Sequence, residues 1–192
     1  MFNLTTIDGF FEGVNHDISW HNVDEEFNDY AMNEMFLSSD LLLFGRVTYE
    51  LMAGFWPTPE AIKTDPLVAE KMNSSQKVVF SRTLNKAEWN NTMLVSSDMV
   101  EEVRKLKEQL GKGIALLGRG TIVSQLAQRG LIDEYRILVN PLVLGQGTPL
   151  FAGIRDRLNL KLLSTRAFRN GNVLLRYEPA GKEKDHGNHD KK

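Results

Sequence analysis

Three short stretches carry residues able to hold an anion: Gly45-Arg46-Val47-Thr48, Ser81-Arg82-Thr83 and Gly118-Arg119-Gly120-Thr121. Each follows an apolar run of the kind that forms a strand buried on both faces. Two of them lead into apolar residues at helical spacing: Tyr49, Leu51 and Met52 after the first, and Ile122, Val123 and Leu126 after the last. A strand, a glycine turn and a helix start together make an anion site. Glycines admit close backbone approach, and the unpaired N–H groups of a first helical turn point at the ligand with the helix dipole behind them. Taken singly, each stretch is an ordinary tight turn. In an open α/β sheet, however, ligands lie beyond the carboxyl ends of the strands, so three such ends can share one large anionic ligand. The helix starts after Gly45 and Gly118 suit a pyrophosphate. Arg46, Ser81 and Arg82 suit a further phosphomonoester, because a guanidinium binds phosphate as a fork. That pairing fits NADPH better than NADH.

The elements that must position these turns follow from periodicity. Residues 2–7 alternate apolar and polar, as a strand does, with Asn3 and Thr5 on the polar face. Residues 10–20 read as a loop with aromatic anchors, and 23–37 as a helix capped by Asn22, with Asp24, Glu25 and Glu26 in its first turn. Leu41–Phe44 and Lys77–Phe80 are buried strands, Met93–Val95 a shorter one. Asp65-Pro66 opens a helix, an N-cap with proline at the first helical position. Residues 98–110 form an amphipathic helix with a capping box from Asp98 to Glu101. Residues 114–117 make the strand before the Gly118 turn, and Gly130 sits where that helix would stop. Residues 132–139 make a strand with one wet face. Residues 145–149 form a loop, and 158–168 and 173–177 pair across Asn170-Gly171, a strong hairpin signal. Strands alternating with helices before an antiparallel finish give an α/β fold with helices on both faces of a mostly parallel sheet. A single domain over 1–179 is expected, with a polar, disordered tail at 180–192.

Composition excludes several classes. Of 192 residues, 23 are basic and 25 acidic, a net charge of −2, without the clustered positive charge of a nucleic-acid surface. Zero cysteines exclude a disulfide scaffold, a thiolate nucleophile and a cysteine-bound zinc. His16 and His21 read as surface loop residues, and His186 and His189 in the tail make no metal site. Apolar runs are too short to span a membrane and no secretory signal is visible, which suits a cytoplasmic protein.

The three turns, with Thr6-Ile7-Asp8-Gly9, Gly130-Leu131-Ile132-Asp133-Glu134 and Leu144-Gly145-Gln146-Gly147-Thr148-Pro149-Leu150-Phe151, resemble in order and spacing the motifs of the dihydrofolate reductase fold. Within it they resemble the reductase domain of the bifunctional riboflavin-biosynthesis enzymes and its stand-alone relatives. The resemblance covers nearly the whole chain, but the cysteine-dependent deaminase half is absent. It implies a mostly parallel sheet with a C-terminal antiparallel hairpin and an NADPH-dependent reductase similar to 5-amino-6-(5-phosphoribosylamino)uracil reductase. Carried over, it places Gly45, Arg46 and Thr48 at phosphates, Ser81 and Arg82 at the adenosine 2′-phosphate, and Gly118, Arg119, Gly120, Thr121 and Ile122 around the pyrophosphate. Asp8 would face nicotinamide and substrate as the catalytic candidate, orienting substrate or a donating water. Trp20 and the acids Asp24 and Glu25 resemble the tryptophan and helix carboxylate with which dihydrofolate reductases protonate a pterin. Acids in a first helical turn are also ordinary dipole partners. A homodimer through the terminal hairpin and a small-molecule substrate are expected, with no metal, nucleic acid or membrane. Two alternatives stand beside this reading: a dihydropterin-type reductase and a non-catalytic NADP-binding module.

Overall fold

The computed structural model describes residues 1–36, 38–109, 111, 113–118 and 120–181. Arg119, Leu37, Leu110 and the expected tail beyond residue 181 lie outside the described residues. Parallel strands β3 (Ser39–Gly45), β4 (Gln76–Phe80), β5 (Thr92–Val95) and β6 (Gly113–Leu116) lie in the order β5-β4-β3-β6. A second sheet has the order β1-β7-β10-β9, built from β1 (Phe2–Thr6), β7 (Tyr135–Asn140), β9 (Leu160–Ala167) and β10 (Val173–Pro179). In it β1 and β7 run parallel, while β9 and β10 form the antiparallel hairpin. A parallel bridge between Phe2 and Leu117 joins β6 to β1 and makes the two sheets continuous.

Parallel neighbours need crossovers, and helices supply most of them. α1 (Glu25–Tyr30) runs into a π-helical segment, Ala31–Phe36, and leads to β3. α2 (Arg46–Phe55), α3 (Pro59–Thr64) and α4 (Pro66–Ser74) link β3 to β4. α5 (Met99–Glu108) precedes β6, and α6 (Gly120–Gln128) follows it. Successive strand residues therefore face opposite layers. Leu42 and Phe44 join one core with Phe27, Tyr30, Tyr49, Val68 and Met72. Leu43 and Leu116 join the other with Val103, Ile122, Val123 and Leu126. Both faces of the sheet are covered, so β3 is apolar along its middle. Among the described residues no helix is long and apolar enough to cross a membrane.

The structure corrects several local expectations. Asn3 and Thr5 are buried, because β1 is an interior strand with no wet face. The cap of α1 is Asp24, whose carboxylate accepts the Phe27 N–H at 2.9 Å, and not Asn22. Phe10–Glu12 forms a short strand, β2, antiparallel to β8 (Thr148–Pro149), where loops were expected. α3 went unread, although Thr58 caps it as Asp65 caps α4, each before a proline. β7 begins at Tyr135, three residues after the expected start, and the loop before it does ionic work. Glu134 Oε1 accepts from Arg136 at 2.6 Å and from Arg176 at 2.8 Å, and those two arginines are direct cross-strand partners. Like charges opposite one another destabilise a sheet, and the carboxylate between them removes the conflict.

Burial alone would raise the pKa of Glu134, but hydrogen bonds from Arg176 and Arg136 hold it down, from 4.5 to about 2. A carboxylate with a depressed folded value stabilises the protein fully above its unfolded value and loses that contribution as pH falls toward the folded one. Glu134→Gln should therefore lower stability by about 1 kcal/mol at neutral pH, a modest figure because the pair is partly open to solvent. The gap from wild type should close between pH 4.5 and about 2 in thermal melts. A gap that persists unchanged at pH 2 contradicts this assignment.

Candidate active site

From β3 the chain winds to β4 on one side of the sheet, and from β6 it winds to β7 on the other. The ends of β3 and β6 are thus neighbours at the point where the winding reverses, which is where open α/β sheets open a crevice for ligands. α2 begins at the end of β3 and packs on one face; α6 begins beyond β6 and packs on the other. Their N-termini converge on Gly118. A Cβ at Gly118 would lie 3.3 Å from Ile122 Cγ2, 3.6 Å from Thr48 Oγ1 and 3.8 Å from the Gly45 backbone N. Gly45, Thr48, Gly118 and Ile122, scattered over the sequence, therefore meet in one cradle.

A buried side chain fixes the cradle. Asn3 Nδ2, on β1, donates to the Gly118 carbonyl at 2.8 Å. The sequence pattern hid this residue, because an Asn alternating with apolar neighbours reads as solvent-facing. Asn3 Oδ1 is buried and, among the described residues, has no hydrogen-bond partner.

The other expected residues spread around this point. Arg46 is the first residue of α2 and pairs across one turn with Glu50 at 3.0 Å, both half exposed. Ser81 follows β4 directly; its Oγ accepts the Thr83 and Leu84 N–H groups at 3.1 and 2.9 Å, so it shapes the turn that presents exposed Arg82. Thr121 is exposed on the first turn of α6. Gly120 carries a packing constraint that sequence reasoning did not include. A Cβ there would lie 3.2 Å from the Leu150 carbonyl oxygen and 3.3 Å from that of Pro149, so the segment after β8 occupies the space a side chain would need.

Asp8 stands just past β1, and its carboxylate is already engaged. Oδ2 accepts the Gly145 N–H at 2.8 Å, Oδ1 accepts the Leu144 N–H at 3.3 Å, and the Thr6 hydroxyl donates to Oδ1 at 2.5 Å. The Thr6 hydroxyl, then the backbone N–H groups of Gly145 and Leu144, hold the carboxyl below its ordinary value. Asp8 is therefore ionised at neutral pH and clamps the 144–145 loop against the strand end. Further along the same rim, the Asn22 N–H donates to Asn140 Oδ1 at 3.0 Å, which pins the segment before α1 onto the end of β7. Trp20 and Glu25 lie in or beside that segment, Glu25 exposed and Trp20 half-buried, its indole donating to the Asp17 carbonyl at 3.1 Å. His21 is not the surface residue expected: burial pushes its imidazole down to about 4. Its Nε2 is buried and, among the described residues, unpartnered. A cavity of about 440 Å³ opens at the opposite end of the sheet, beside Gly113 and Ile132, away from every glycine turn described above.

Comparison with known proteins gives the family and the fold. The family model for the RibD C-terminal domain matches residues 1–174. The uncharacterised protein YyaP of Bacillus subtilis (strain 168) is 36% identical over 174 residues, covering 90% of this chain and 89% of that one. A putative riboflavin biosynthesis protein from Shewanella sp. PV-4 superposes with a TM-score of 0.71 at 22% identity, covering 93% of this chain and 97% of that one. Enterococcus faecalis dihydrofolate reductase, solved with NADP(H), superposes with a TM-score of 0.63 at 14% identity, covering 93% and 94%. At those identities the likeness to the solved structures shows the fold: the reductase-type fold of the dihydrofolate reductases.

Two glycine substitutions separate the cradle from its support. Gly118→Ala places a methyl group 3.3 Å from Ile122, at the meeting point of the two helix starts. It should weaken dinucleotide binding about tenfold, roughly 1.4 kcal/mol, while the melting temperature stays close to wild type. Gly120→Val should lower the melting temperature by several degrees as well, because it displaces the 149–152 backbone. Calorimetric titration and thermal melts on both variants check this. Unchanged binding in Gly118→Ala would mean the turn is only a turn.

Proposed function

We propose, on the premise that the chain belongs to the RibD C-terminal domain family, that it is an NADPH-dependent reductase of a small polar heterocycle. The observation that carries this reading is the convergence of two helix N-termini on Gly118, with room there that a single Cβ would fill. Unpaired N–H groups from two directions suit a pyrophosphate, and the donor set matches one. Gly45 and Thr48 would hold one phosphate, and Gly118, Arg119, Gly120, Thr121 and Ile122 the other. The Arg46–Glu50 pair is exposed and of little energetic weight, so Arg46 is free to exchange its partner for phosphate. Arg82, on the turn organised by Ser81, would take the 2′-phosphate with it. A groove of about 620 Å³ between α2 and residues 84–90, with Glu50 and Leu84 in its lining, has the dimensions for the adenosine end.

When bound, the nicotinamide supplies hydride to a C=N or C=O carbon of the substrate. The chain's own part is position and electrostatics. Asp8, ionised and clamped, orients the substrate or a water beside the end of β1; its lowered pKa makes it a poor proton source at neutral pH. Asp24 is committed to capping α1, so a pterin-type helix carboxylate is not what supports this assignment.

The cofactor preference is the test. Wild type should bind NADPH more tightly than NADH. Arg46→Ala and Arg82→Ala should each weaken NADPH about tenfold or more, about 1.5–3 kcal/mol for a charge-assisted contact, and leave NADH nearly unchanged. Equal affinity of the wild type for the two cofactors overturns the reading.

A further inference from the structure

The reductase reading leaves the largest enclosed space beside the sheet unused. The cavity of about 440 Å³ lies at the starts of β3 and β6, beside Ser39 and Gly113, whereas the cradle lies at the ends of the same strands. With seven residues in β3, about 20 Å separates the two. The cavity walls are mostly apolar: Val103 and Leu106 from α5, Ile114 from β6, Leu126 from α6 and Ile132 from the loop before β7. Residues 131–134, part of a stretch that stood out in the sequence and has no place at the cradle, form one side of it.

Apolar space on this scale is costly to leave empty. Atoms that line a void lose their packing partners, and the cost grows with volume until it rivals the stability of a whole domain. Water settles in such a space only where each molecule finds about two to four polar partners, which apolar walls do not supply. The volume falls within the range of small-molecule sites. The mouth gives the ligand a polarity. Lys107 reaches from α5 to the loop before β7, its Nζ donating to the Leu131 carbonyl at 3.2 Å and to Asp133 Oδ2 at 2.6 Å. The Lys107 side chain is 29% exposed and that of Asp133 80%, so the cation is the inner member of the pair and the carboxylate stands out in water. A pair with so exposed a partner is weak, and Lys107 can exchange Asp133 for a carboxylate arriving in the cavity. Glu134, the other acid in the lining, is already held by Arg136 and Arg176.

We propose that this cavity is a second ligand site, separate from the dinucleotide cradle, for a small monocarboxylate with an apolar body. The body lies between α5, α6 and β6, and the carboxylate meets Lys107 at the mouth. The proposal stands apart from the reductase reading and does not rest on it.

Two acids, 4-phenylbutyrate and octanoate, test this on the full chain, each beside its matching alcohol. Calorimetric titration should give at least one acid a Kd below about 1 mM, with its alcohol about fivefold or more weaker. Lys107→Met should remove that preference and leave the alcohol's affinity as it was. In NMR spectra the amide signals of Gly113 and Ile132 should shift on titration, and those of Gly45 and Gly118 should not. Leu106→Trp and Ile114→Phe each enlarge a wall residue, and both should abolish binding. Their melting temperatures should stay at or above that of wild type, because the cavity takes up volume that a packed core would reject. Failure of both acids to bind at about 10 mM overturns the proposal. So does an alcohol that binds as tightly as its acid, or wild-type binding in both enlarged variants. A fall of several degrees in the melting temperature of both variants would show that the space is not there, and overturns it as well.

Discussion

The contact on which the candidate site depends is the junction of β6 with β1. Phe2 and Leu117 make a single parallel bridge, and one residue further on the buried Asn3 amide grips the Gly118 carbonyl at 2.8 Å. Without that junction there would be two four-stranded sheets and no continuous rim. With it, the ends of β4, β3, β6, β1 and β7 form one edge, and the Gly118 turn is held where two helices of opposite faces begin. A hydrogen bond to a buried carbonyl adds only about 1 kcal/mol net, but its loss leaves a polar group stranded, which is worse. Its influence on position exceeds its influence on stability.

The rim beyond β1 and β7 is held by polar bonds of the same kind. Asn22 bonds to Asn140 through its backbone and to the Asn170 carbonyl through its side chain, and it receives Asn170 and Asn172 at its own carbonyl. Asn140 and Asn172 are fully buried. Asp8 likewise ties Leu144 and Gly145 to β1. Gly147 meets the Glu12 carbonyl so closely, with φ of +151°, that no side chain fits. These contacts link segments more than a hundred residues apart. The rim is therefore assembled by tertiary bonds between loops, resting on a scaffold of parallel strands.

That division explains what could be read in advance. Leu41–Phe44 and Lys77–Phe80 announce buried strands because each residue has a core to face, and Asp65-Pro66 announces α4 because cap and proline act locally. The glycine turns were legible for the same reason. Asn3 and Thr5 misled: alternation means a wet face only when one face is wet, and β1 sits between β6 and β7. β2 and β8 are too short to show a period, and their pairing is set by Gly147 and by the Thr148 hydroxyl donating to Glu12 at 2.7 Å. His21 looked like a surface residue because nothing in Ser19-Trp20-His21-Asn22 reveals that Asn140 holds the segment down. Partners distant in sequence leave no local signal.

The central claim is that the dinucleotide lies across the Gly118 cradle, between the starts of α2 and α6. A crystal structure of the protein with NADPH tests it most directly. The account predicts pyrophosphate oxygens within hydrogen-bond distance of backbone N–H groups at both helix starts, with Arg82 beside the 2′-phosphate. A cofactor seated in the cavity at the opposite end of the sheet, or one that leaves the Gly45–Gly118 cradle empty, would contradict it.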